Sequence, residues 1–438
     1  MNKSVLFSTL IILFSVHSFS QQNIPALLMA KNGNNISSAK QWEKIRRPEI
    51  LAMVETEMYG IVPGELKISE ITLLDQDDQA INGKAIRKQV KLTFRRNQKE
   101  LNVELLMYLP KGKKSYPTFL GYNFGGNQTV YKDTAIHIAK EWNGAAKPRG
   151  VETANWEVER LINAGCGVAT MYYWDIAPDR EDFSIGIYPL LYKAGQTKPA
   201  NDEWGSLAAW AWGLSRALDY LKTDKQVDGS KVIVVGHSRL GKASIWAGAR
   251  DQRFAAVISN NSGCGGASIY REKAGETLLK MNNRFPRWTA VNFKKYTENE
   301  SLLPFDQHMV LAMVAPRPVY VASASEDAWA DPKNEFKSAF FATQVYHLYG
   351  LKGIESGVFP ALNTPVGSTV SYHIRNGKHD ILAYDWDEYI AFAPKWQLWQ
   401  SKKYRSDEVS RRNAIRDFDR SNYPEGGPRQ MAAIYASG

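Results

Sequence analysis

A serine stands at a sharp turn between two regular elements near the middle of the chain. The turn, residues 236–241, reads Gly-His-Ser-Arg-Leu-Gly, follows the apolar run 232–235 and precedes the helix-like stretch 242–248. A serine on such a strand–turn–helix is held in a strained backbone, beside the amides of a helix N-terminus, where its hydroxyl can attack a carbonyl. The sequence therefore predicts Ser238 as a nucleophile. The pattern is irregular, because Leu240 occupies the usual glycine position and the glycine follows one place later.

A serine hydroxyl needs a base, most often a histidine that is oriented by a carboxylate. In α/β hydrolases the chain order is serine, acid, histidine. His379 lies in the loop 376–380, directly after the last predicted strand, and is therefore the predicted base. Alternatively, His379 could be a solvent-exposed loop residue without a catalytic role. His237 adjoins Ser238, and we expect its side chain to point elsewhere, whereas His373 belongs to the last strand.

Two turns could supply the acid. The first follows the predicted strand 256–260 and holds Asn261, which cannot carry a negative charge. The second follows the predicted strand 319–323 and holds Asp327, which is the predicted acid. Two further acids of the second turn remain rivals, Glu326 and Asp331.

Hydrolysis through a serine also needs hydrogen-bond donors for the oxyanion that develops on the carbonyl oxygen. The backbone amide of Arg239 is one candidate and its guanidinium is another. The loop 122–127 reads Tyr-Asn-Phe-Gly-Gly-Asn and follows the first central strand, where hydrolases place a glycine-rich loop. An ordinary glycine turn is an equally good reading of that loop.

The elements around these residues predict an α/β fold. Three runs near the N-terminus resemble strands, and the last two of them alternate as half-buried antiparallel strands do. From residue 118 strands alternate with helices such as 207–221, which is typical of a mostly parallel sheet with helices on both faces. Ser38 caps a predicted helix over 39–58 that Pro48 should break or kink. The stretch 175–203 fits neither period and is expected to form an inserted loop above the sheet. The predicted strands are 68–74, 85–94, 101–109, 118–123, 168–173, 232–235, 256–260, 319–323 and 368–373.

Residues 1–20 read as a secretory signal, with Lys3, a short apolar core and small residues before Gln21. The core is shorter than the ~20 residues that a membrane span needs. We therefore expect an exported protein, secreted or periplasmic, with no membrane span. Residues 21–400 are predicted to form one catalytic domain, and residues 401–438 a C-terminal extension of unknown role.

Charge and cysteine positions give two further expectations, one on nucleic-acid binding and one on disulfides. The formal net charge is +10, but basic residues are scattered and no nucleic-acid-binding signature is present, so nucleic acid is not an expected partner. Cys166 opens one predicted strand and Cys264 follows the end of another, which places them at opposite ends of the sheet. That separation exceeds disulfide reach, so two free thiols are expected.

Five motifs in this order resemble the bacterial glucuronoyl esterases of carbohydrate esterase family 15. They are Gly-His-Ser-Arg-Leu-Gly-Lys, Asn-Asn-Ser-Gly-Cys-Gly-Gly, Leu-Pro-Phe-Asp-Gln-His, Ala-Pro-Arg-Pro and Glu-Asp-Ala-Trp-Ala-Asp-Pro. The resemblance covers roughly residues 42–392. The resemblance implies an α/β-hydrolase fold and hydrolysis of the ester that joins 4-O-methyl-glucuronate on xylan to lignin alcohols, without metal or cofactor. Separately, we expect the protein to act as a monomer. Many members carry a glutamate where this chain has Asn261, so the acid would be Asp327. The remaining roles that the resemblance implies are Ser238 as nucleophile, His379 as base, Arg239 as oxyanion donor, Lys242 and Glu276 as binders of sugar hydroxyls, and Trp329 as a contact to the uronate.

The position of Lys242 relative to Ser238 supports its role as a sugar binder, whereas Lys242, Glu276 and Trp329 each also have a structural explanation. Lys242 lies four residues after Ser238, one helical turn along, so its amine can reach a sugar above the serine. It could equally be a solvated helix lysine, while Trp329 could be a packing residue and Glu276 an acid in the first turn of a helix. Two rival functions also remain, an acetyl xylan esterase of the same fold and a catalytically silent carbohydrate-binding protein.

Overall fold

The computed structural model describes residues 24–112, 114–139, 144 and 146–394. The predicted signal at 1–20 and the predicted extension at 401–438 therefore lie outside the described residues. Within the described ranges, no helix is both long and apolar enough to cross a bilayer.

Ten strands form one sheet in the order β1-β2-β3-β5-β4-β6-β7-β8-β10-β9. The strands from β5 to β10 in this order run parallel, whereas β1, β2 and β3 pair antiparallel at one edge and β9 pairs antiparallel at the other. The predicted mostly parallel α/β sheet is thus confirmed. The strands are β1 Glu70–Gln79, β2 Ala85–Arg96, β3 Lys99–Pro110, β4 Tyr116–Asn123, β5 Gly167–Tyr172, β6 Val227–His237, β7 Ala256–Asn260, β8 Val319–Ala324, β9 Val366–Gly367 and β10 Val370–Arg375.

Thirteen α-helices lie among the described residues, together with short 3₁₀ turns at Asn127–Thr129, Val291–Tyr296 and Glu300–Leu302. The predicted long helix 207–221 is confirmed by α8. The helices are α1 Ala39–Gln41, α2 Arg47–Val54, α3 Ala80–Gly83, α4 Thr153–Trp156, α5 Val158–Asn163, α6 Tyr173–Ile176, α7 Tyr188–Leu191, α8 Ser206–Leu221, α9 Arg239–Arg250, α10 Leu278–Arg284, α11 Gln307–Ala312, α12 Pro332–Leu348 and α13 Ala383–Phe392.

Of the break or kink predicted at Pro48, the break does not occur. The chain stays helical over residues 39–59, with π-helical turns at Trp42–Arg46 and Glu55–Tyr59 on either side of α2. The wider π turn immediately before the proline makes room for its ring, and the missing amide falls at the start of the α-helical turns. Ser38 caps this helix as predicted, through a hydrogen bond from the Gln41 amide.

The central strand β6 shows how the sheet is covered. Val232 and Val234 face one apolar layer, and Ile233 and Val235 face the other. Because neighbouring residues of a strand point to opposite faces, a continuous apolar run predicts burial on both sides. The edge strand β1 extends five residues beyond the predicted run, into Asp75–Gln79, because a half-exposed edge tolerates polar side chains.

Both cysteines are buried and free, as predicted. The stretch 175–203 contains the end of α6, the one-turn helix α7 and otherwise irregular backbone, which agrees with the predicted insertion. One residue of this insertion, Asp179, enters the site described next.

Candidate active site

Ser238 lies between β6 and α9 with backbone angles φ 56° and ψ −129°. This conformation is strained for a residue with a side chain, and it persists because the strand and helix cross closely at the turn. A Cβ on Gly236 would lie 2.1 Å from the Leu240 carbonyl oxygen, and one on Gly241 would lie 2.9 Å from the Gly236 oxygen. Leu240 is buried in the core. The irregular motif therefore retains the tight turn, with Gly241 in the position of close contact.

His379 is hydrogen-bonded to Asp327, with 2.6 Å between His379 Nδ1 and Asp327 Oδ2. A carboxylate can only accept, so Nδ1 carries the hydrogen and Nε2 can accept a proton. Burial disfavours the charged carboxylate, but hydrogen bonds from His379 and Asn261 outweigh it and hold the pKa of Asp327 below its ordinary value. His379 and Ser238 line the same cavity. The structure thus brings together the predicted nucleophile, base and acid.

The rival acids are placed differently. Glu326 is exposed, and Asp331 is the N-cap of α12, where it accepts hydrogen bonds from the backbone amides of Asn334 and Ala274. The turn after β7 is also involved in the site, because Asn261 Nδ2 donates to Asp327 Oδ2 at 2.9 Å. A carboxylate at that position would repel Asp327, whereas an amide supports it.

The expectation that His237 points away from the site is wrong. Its ring lies 4.5 Å from the ring of His379, centroid to centroid, and lines the same cavity. The cause is a 2.6 Å hydrogen bond between His237 Nδ1 and the side-chain oxygen of Asn260 on the neighbouring strand, which turns the ring toward the end of the sheet.

Arg239 is held by an acid that the sequence analysis did not single out. Its guanidinium forms an ion pair with Asp179 Oδ2, and its buried Nε has no hydrogen-bond partner among the described residues. Asp179 Oδ1 accepts from Arg287 Nη2 at 2.5 Å and from Trp288 Nε1 at 2.8 Å. Burial of Asp179 disfavours ionisation, but the two arginines outweigh it and lower its pKa.

Two amides of the glycine-rich loop after β4 already have acceptors. The amide of Phe124 hydrogen-bonds to the Glu152 carboxylate, and that of Gly126 donates to Asn123 Oδ1 at 2.8 Å. These two amides are therefore already used within the protein.

Lys242, Glu276 and Trp329 lie together beyond the first turn of α9. Lys242 is buried, so it is not a solvent-exposed helix lysine. Its Nζ donates to the carbonyls of Ser262 and Cys264 and lies 3.7 Å from Glu276 Oε2. Burial lowers the pKa of Lys242, and the neighbouring Glu276 opposes that shift. Glu276 precedes the N-cap of α10 and is not in its first turn, while its amide donates to the Trp329 carbonyl at 2.8 Å. Trp329 is 45% exposed, and Lys280 Nζ lies 5.2 Å from the centroid of its ring.

Two further residues escaped the sequence analysis. Asp179 is a lone acid in a stretch without periodicity, and nothing in its local sequence connects it to Arg239. Glu335, on α12, is fully buried and accepts from Ser323 Oγ at 2.6 Å and from the Gly263 amide at 2.9 Å. Burial raises the pKa of Glu335 to about 7. It joins the end of β8 to the loop that carries Asn261, and its local sequence, Asn-Glu-Phe-Lys, does not distinguish it from any other polar helix residue.

A mostly parallel sheet that is covered on both faces, with a serine at a strained turn between a central strand and its helix, defines an α/β hydrolase. The order Ser238, Asp327, His379 along the chain is also that of the class.

Comparison with known proteins supports this class and identifies a family within it. The profile of the family described as "Glucuronyl esterase, fungi" matches residues 127–350. Carbohydrate esterase MZ0003, from an unknown prokaryotic organism, is 46% identical over 385 residues, which cover 84% of this chain and 88% of that protein. A solved glucuronoyl esterase from Solibacter usitatus superposes with a TM-score of 0.82 at 46% identity, over 87% of this chain and 99% of the other. The 4-O-methyl-glucuronoyl methylesterase 1 of Wolfiporia cocos is 33% identical over 198 residues, 42% of this chain and 47% of that protein.

The chain belongs to the glucuronoyl esterase family, carbohydrate esterase family 15, and is a carboxylic ester hydrolase. The resemblance drawn from the five sequence motifs is thereby confirmed.

Proposed function

We propose that this protein is a secreted serine esterase that hydrolyses 4-O-methyl-glucuronoyl esters linking xylan to lignin alcohols. Ser238 Oγ attacks the ester carbonyl while His379 Nε2 accepts its proton, and Asp327 stabilises the charged imidazole. The Arg239 guanidinium and amide donate to the oxyanion. His379 then protonates the departing alcohol, and water hydrolyses the acyl-enzyme by the same steps.

The serine-esterase mechanism in this proposal rests on the 2.6 Å hydrogen bond between His379 and Asp327, together with the strained backbone of Ser238. The acid is buried and ionised, the histidine is fixed in the tautomer that can accept a proton, and the serine backbone is held at a tight turn. These are the three conditions that an acyl-enzyme mechanism places on its side chains.

The substrate part rests on the named relatives and on the cluster of Lys242, Glu276 and Trp329. Glu276 is buried, and its carboxylate faces the Lys242 amine without a close hydrogen bond. A sugar hydroxyl can donate to this carboxylate, and the exposed ring of Trp329 can cover an apolar sugar face. Lys242 holds the loop that forms the floor and balances the charge of Glu276.

The direct test compares the purified protein on benzyl glucuronate and on acetylated xylan. We expect turnover of the first substrate to dominate. Preferential turnover of acetylated xylan would replace the proposal with an acetyl xylan esterase, and no turnover of either would favour a silent binding protein.

Glu276→Gln tests the uronate assignment. Loss of one charged hydrogen bond to a ring hydroxyl should lower kcat/KM for methyl glucuronate by about tenfold, which corresponds to ~1.4 kcal/mol. Hydrolysis of a simple aryl acetate, which has no sugar ring, should change little. The control Glu326→Gln alters an exposed acid and should leave both rates near parental. Equal losses on the two substrates in Glu276→Gln would show that Glu276 supports the fold instead.

Asp179→Asn tests whether Asp179 positions Arg239. Without the carboxylate charge, the guanidinium loses its ion pair, and a misplaced oxyanion donor lowers kcat with little effect on KM; we expect a loss of about tenfold to a hundredfold. Arg287→Gln is the control, since it removes another partner of Asp179 but leaves the Arg239 pair in place. A loss of kcat in Arg287→Gln as large as that in Asp179→Asn would assign the effect to general disruption of the cluster.

We further propose that residues 1–20 direct export of the protein. Residues 21–400 form a single catalytic domain that acts as a monomer.

A further inference from the structure

A buried arginine ends the strand that leads into the loop of His379. Arg375 is the last residue of β10 and is 1% exposed, and the loop 376–380 follows it directly. Burial of a guanidinium is unfavourable unless charge pairing and hydrogen bonds compensate for the lost water. The hydrogen-bond partners of Arg375 therefore show what its charge does in this fold.

Apart from one carboxylate, the hydrogen bonds of this guanidinium among the described residues all go to the loop 376–380. Nη1 donates to the carbonyl of Asn376 at 3.1 Å, and Nη2 donates to the carbonyls of Lys378 at 2.8 Å and Asp380 at 2.6 Å. Lys378 and Asp380 are the residues directly before and after His379. The planar guanidinium thus binds the backbone on both sides of His379, in a geometry that a single ammonium group cannot reproduce.

The loop can pass this close to the guanidinium because residue 377 is a glycine. Gly377 has φ 108°, which a residue with a side chain rarely adopts, and a Cβ there would lie 3.2 Å from Arg375 Nη1. The Gly377 carbonyl also accepts from the Glu326 amide at 2.9 Å. Since Glu326 immediately precedes Asp327, the loop of His379 is joined through its backbone to the turn that carries the acid.

The one carboxylate partner, Asp385, anchors the guanidinium. Asp385 Oδ2 accepts from Arg375 Nε at 2.8 Å and from the Leu382 amide at 2.8 Å, at the start of α13, and Oδ1 accepts from His373 Nε2 at 2.8 Å. Asp385 is fully buried, so water and salt screen this ion pair little. Arg375 is therefore fixed between β10 and α13, and its Nη1 and Nη2 face the loop.

The side chain of His379 depends on its backbone for its position. It is 41% exposed, so packing surrounds it only in part, and its one side-chain hydrogen bond among the described residues is the 2.6 Å bond to Asp327. A shift of a reacting group by about 1 Å can lower a rate about a hundredfold. The conformation of the loop 376–380 therefore determines whether the imidazole stays aligned with Asp327.

We propose that Arg375 is a positioning residue for the base of the reaction, and that together with Asp385 it holds the loop 376–380 so that His379 keeps its hydrogen bond to Asp327. The inference rests on the proposed function, because it takes His379 as that base. A buried ion pair with a structural role alone would stabilise the fold without a selective effect on His379. The two roles differ in which measurement responds to a change at Arg375.

The first experiment compares Arg375→Lys with the parental protein on methyl glucuronate and on a simple aryl acetate. Lysine keeps a positive charge beside Asp385, but its single ammonium group cannot bind the three carbonyls as the planar fork does. We expect kcat to fall about tenfold to a hundredfold on both substrates, with KM for methyl glucuronate largely unchanged.

Proton NMR gives a readout that does not depend on turnover. The hydrogen between His379 Nδ1 and Asp327 should give a resonance far downfield, as short charge-assisted hydrogen bonds do, and its loss in Asp327→Asn assigns it. In Arg375→Lys, well below the melting temperature, we expect this resonance to broaden or disappear, because a loosened bond exchanges its hydrogen with water faster.

Arg317→Lys is the matched control. Arg317 is also buried and donates to three backbone carbonyls, those of Gly248, Asp251 and Phe254, near the amino ends of β7 and β8 and therefore at the opposite end of the sheet from His379. It should lower the melting temperature about as much as Arg375→Lys and leave kcat and the downfield resonance near parental.

Gly377→Ala is a second variant, for the case that Arg375→Lys does not fold. It changes the loop at a partly exposed position and leaves the buried ion pair in place. It should reproduce the loss of kcat and of the resonance, because its Cβ pushes the backbone away from the guanidinium.

A folded Arg375→Lys with parental kcat would overturn the inference, as would an equal loss of kcat in Arg317→Lys or an effect confined to KM with the resonance unchanged. If Arg375→Lys does not fold, parental kcat in Gly377→Ala overturns it. A parental protein that hydrolyses the aryl acetate but no uronate ester would refute the proposed substrate alone, and the role of Arg375 would then be decided on the aryl acetate. No turnover of any ester would refute both.

Discussion

Ser238→Ala should lower ester hydrolysis by about a thousandfold or more, because the group that forms the acyl-enzyme is removed and only binding and oxyanion stabilisation remain. The change deletes one oxygen from a turn whose geometry depends on Gly236 and Gly241. The melting temperature should therefore stay close to the parental value. The measurement is kcat on benzyl glucuronate together with a thermal melt.

Ser244→Ala is the control for this prediction. Ser244 lies on the same helix and its buried hydroxyl donates to the Leu240 carbonyl at 2.9 Å, so its loss affects stability more than chemistry. Near-parental turnover in Ser238→Ala would refute the assignment of the nucleophile.

Asp327→Asn should lower kcat by about a thousandfold or more, because an amide in this position favours the wrong imidazole tautomer and cannot stabilise the imidazolium. Asp327 is buried and receives hydrogen bonds from both His379 and Asn261, so the substituted side chain should remain in place. The expected loss is therefore in kcat, with KM for methyl glucuronate largely retained.

Asn261→Ala separates the charge of Asp327 from its support. It removes one hydrogen bond to the same carboxylate oxygen, a contribution of ~0.5–1.5 kcal/mol, so the loss in kcat should be about tenfold at most. If Asn261→Ala were as damaging as Asp327→Asn, the turn after β7 would be the essential one and the assignment of the acid would be wrong.

Local sequence was sufficient for the elements and for the residues at their ends. The apolar run of β6, the turn at Ser238 and the helix that follows are encoded within about twenty consecutive residues, and their periods distinguish strand from helix. Parallel strands bring their carboxyl ends to one edge of the sheet, so residues that follow β8 and β10 are brought near the residue that follows β6. That rule places Asp327 and His379 beside Ser238 without any knowledge of loop conformation.

The order of strands does not predict which side chains come into contact when at least one of them lies on an irregular loop. Asp179 reaches Arg239 from an insertion without periodicity, and His237 turns toward His379 because Asn260 on a neighbouring strand holds its other nitrogen. Lys242 had the right spacing to reach a sugar, yet most of its hydrogen bonds go to backbone carbonyls of the loop after β7.

The chain alone therefore specified the sheet, the elbow and the family, because each is encoded by short patterns in a definite order. Tertiary packing decided that Asp179 holds Arg239, how Asn261 supports Asp327, and that a cavity opens beside Ser238 and His379. These features depend on contacts between residues far apart in sequence, where irregular loops, rather than periodic elements, set the distance between charged and hydrogen-bonding groups.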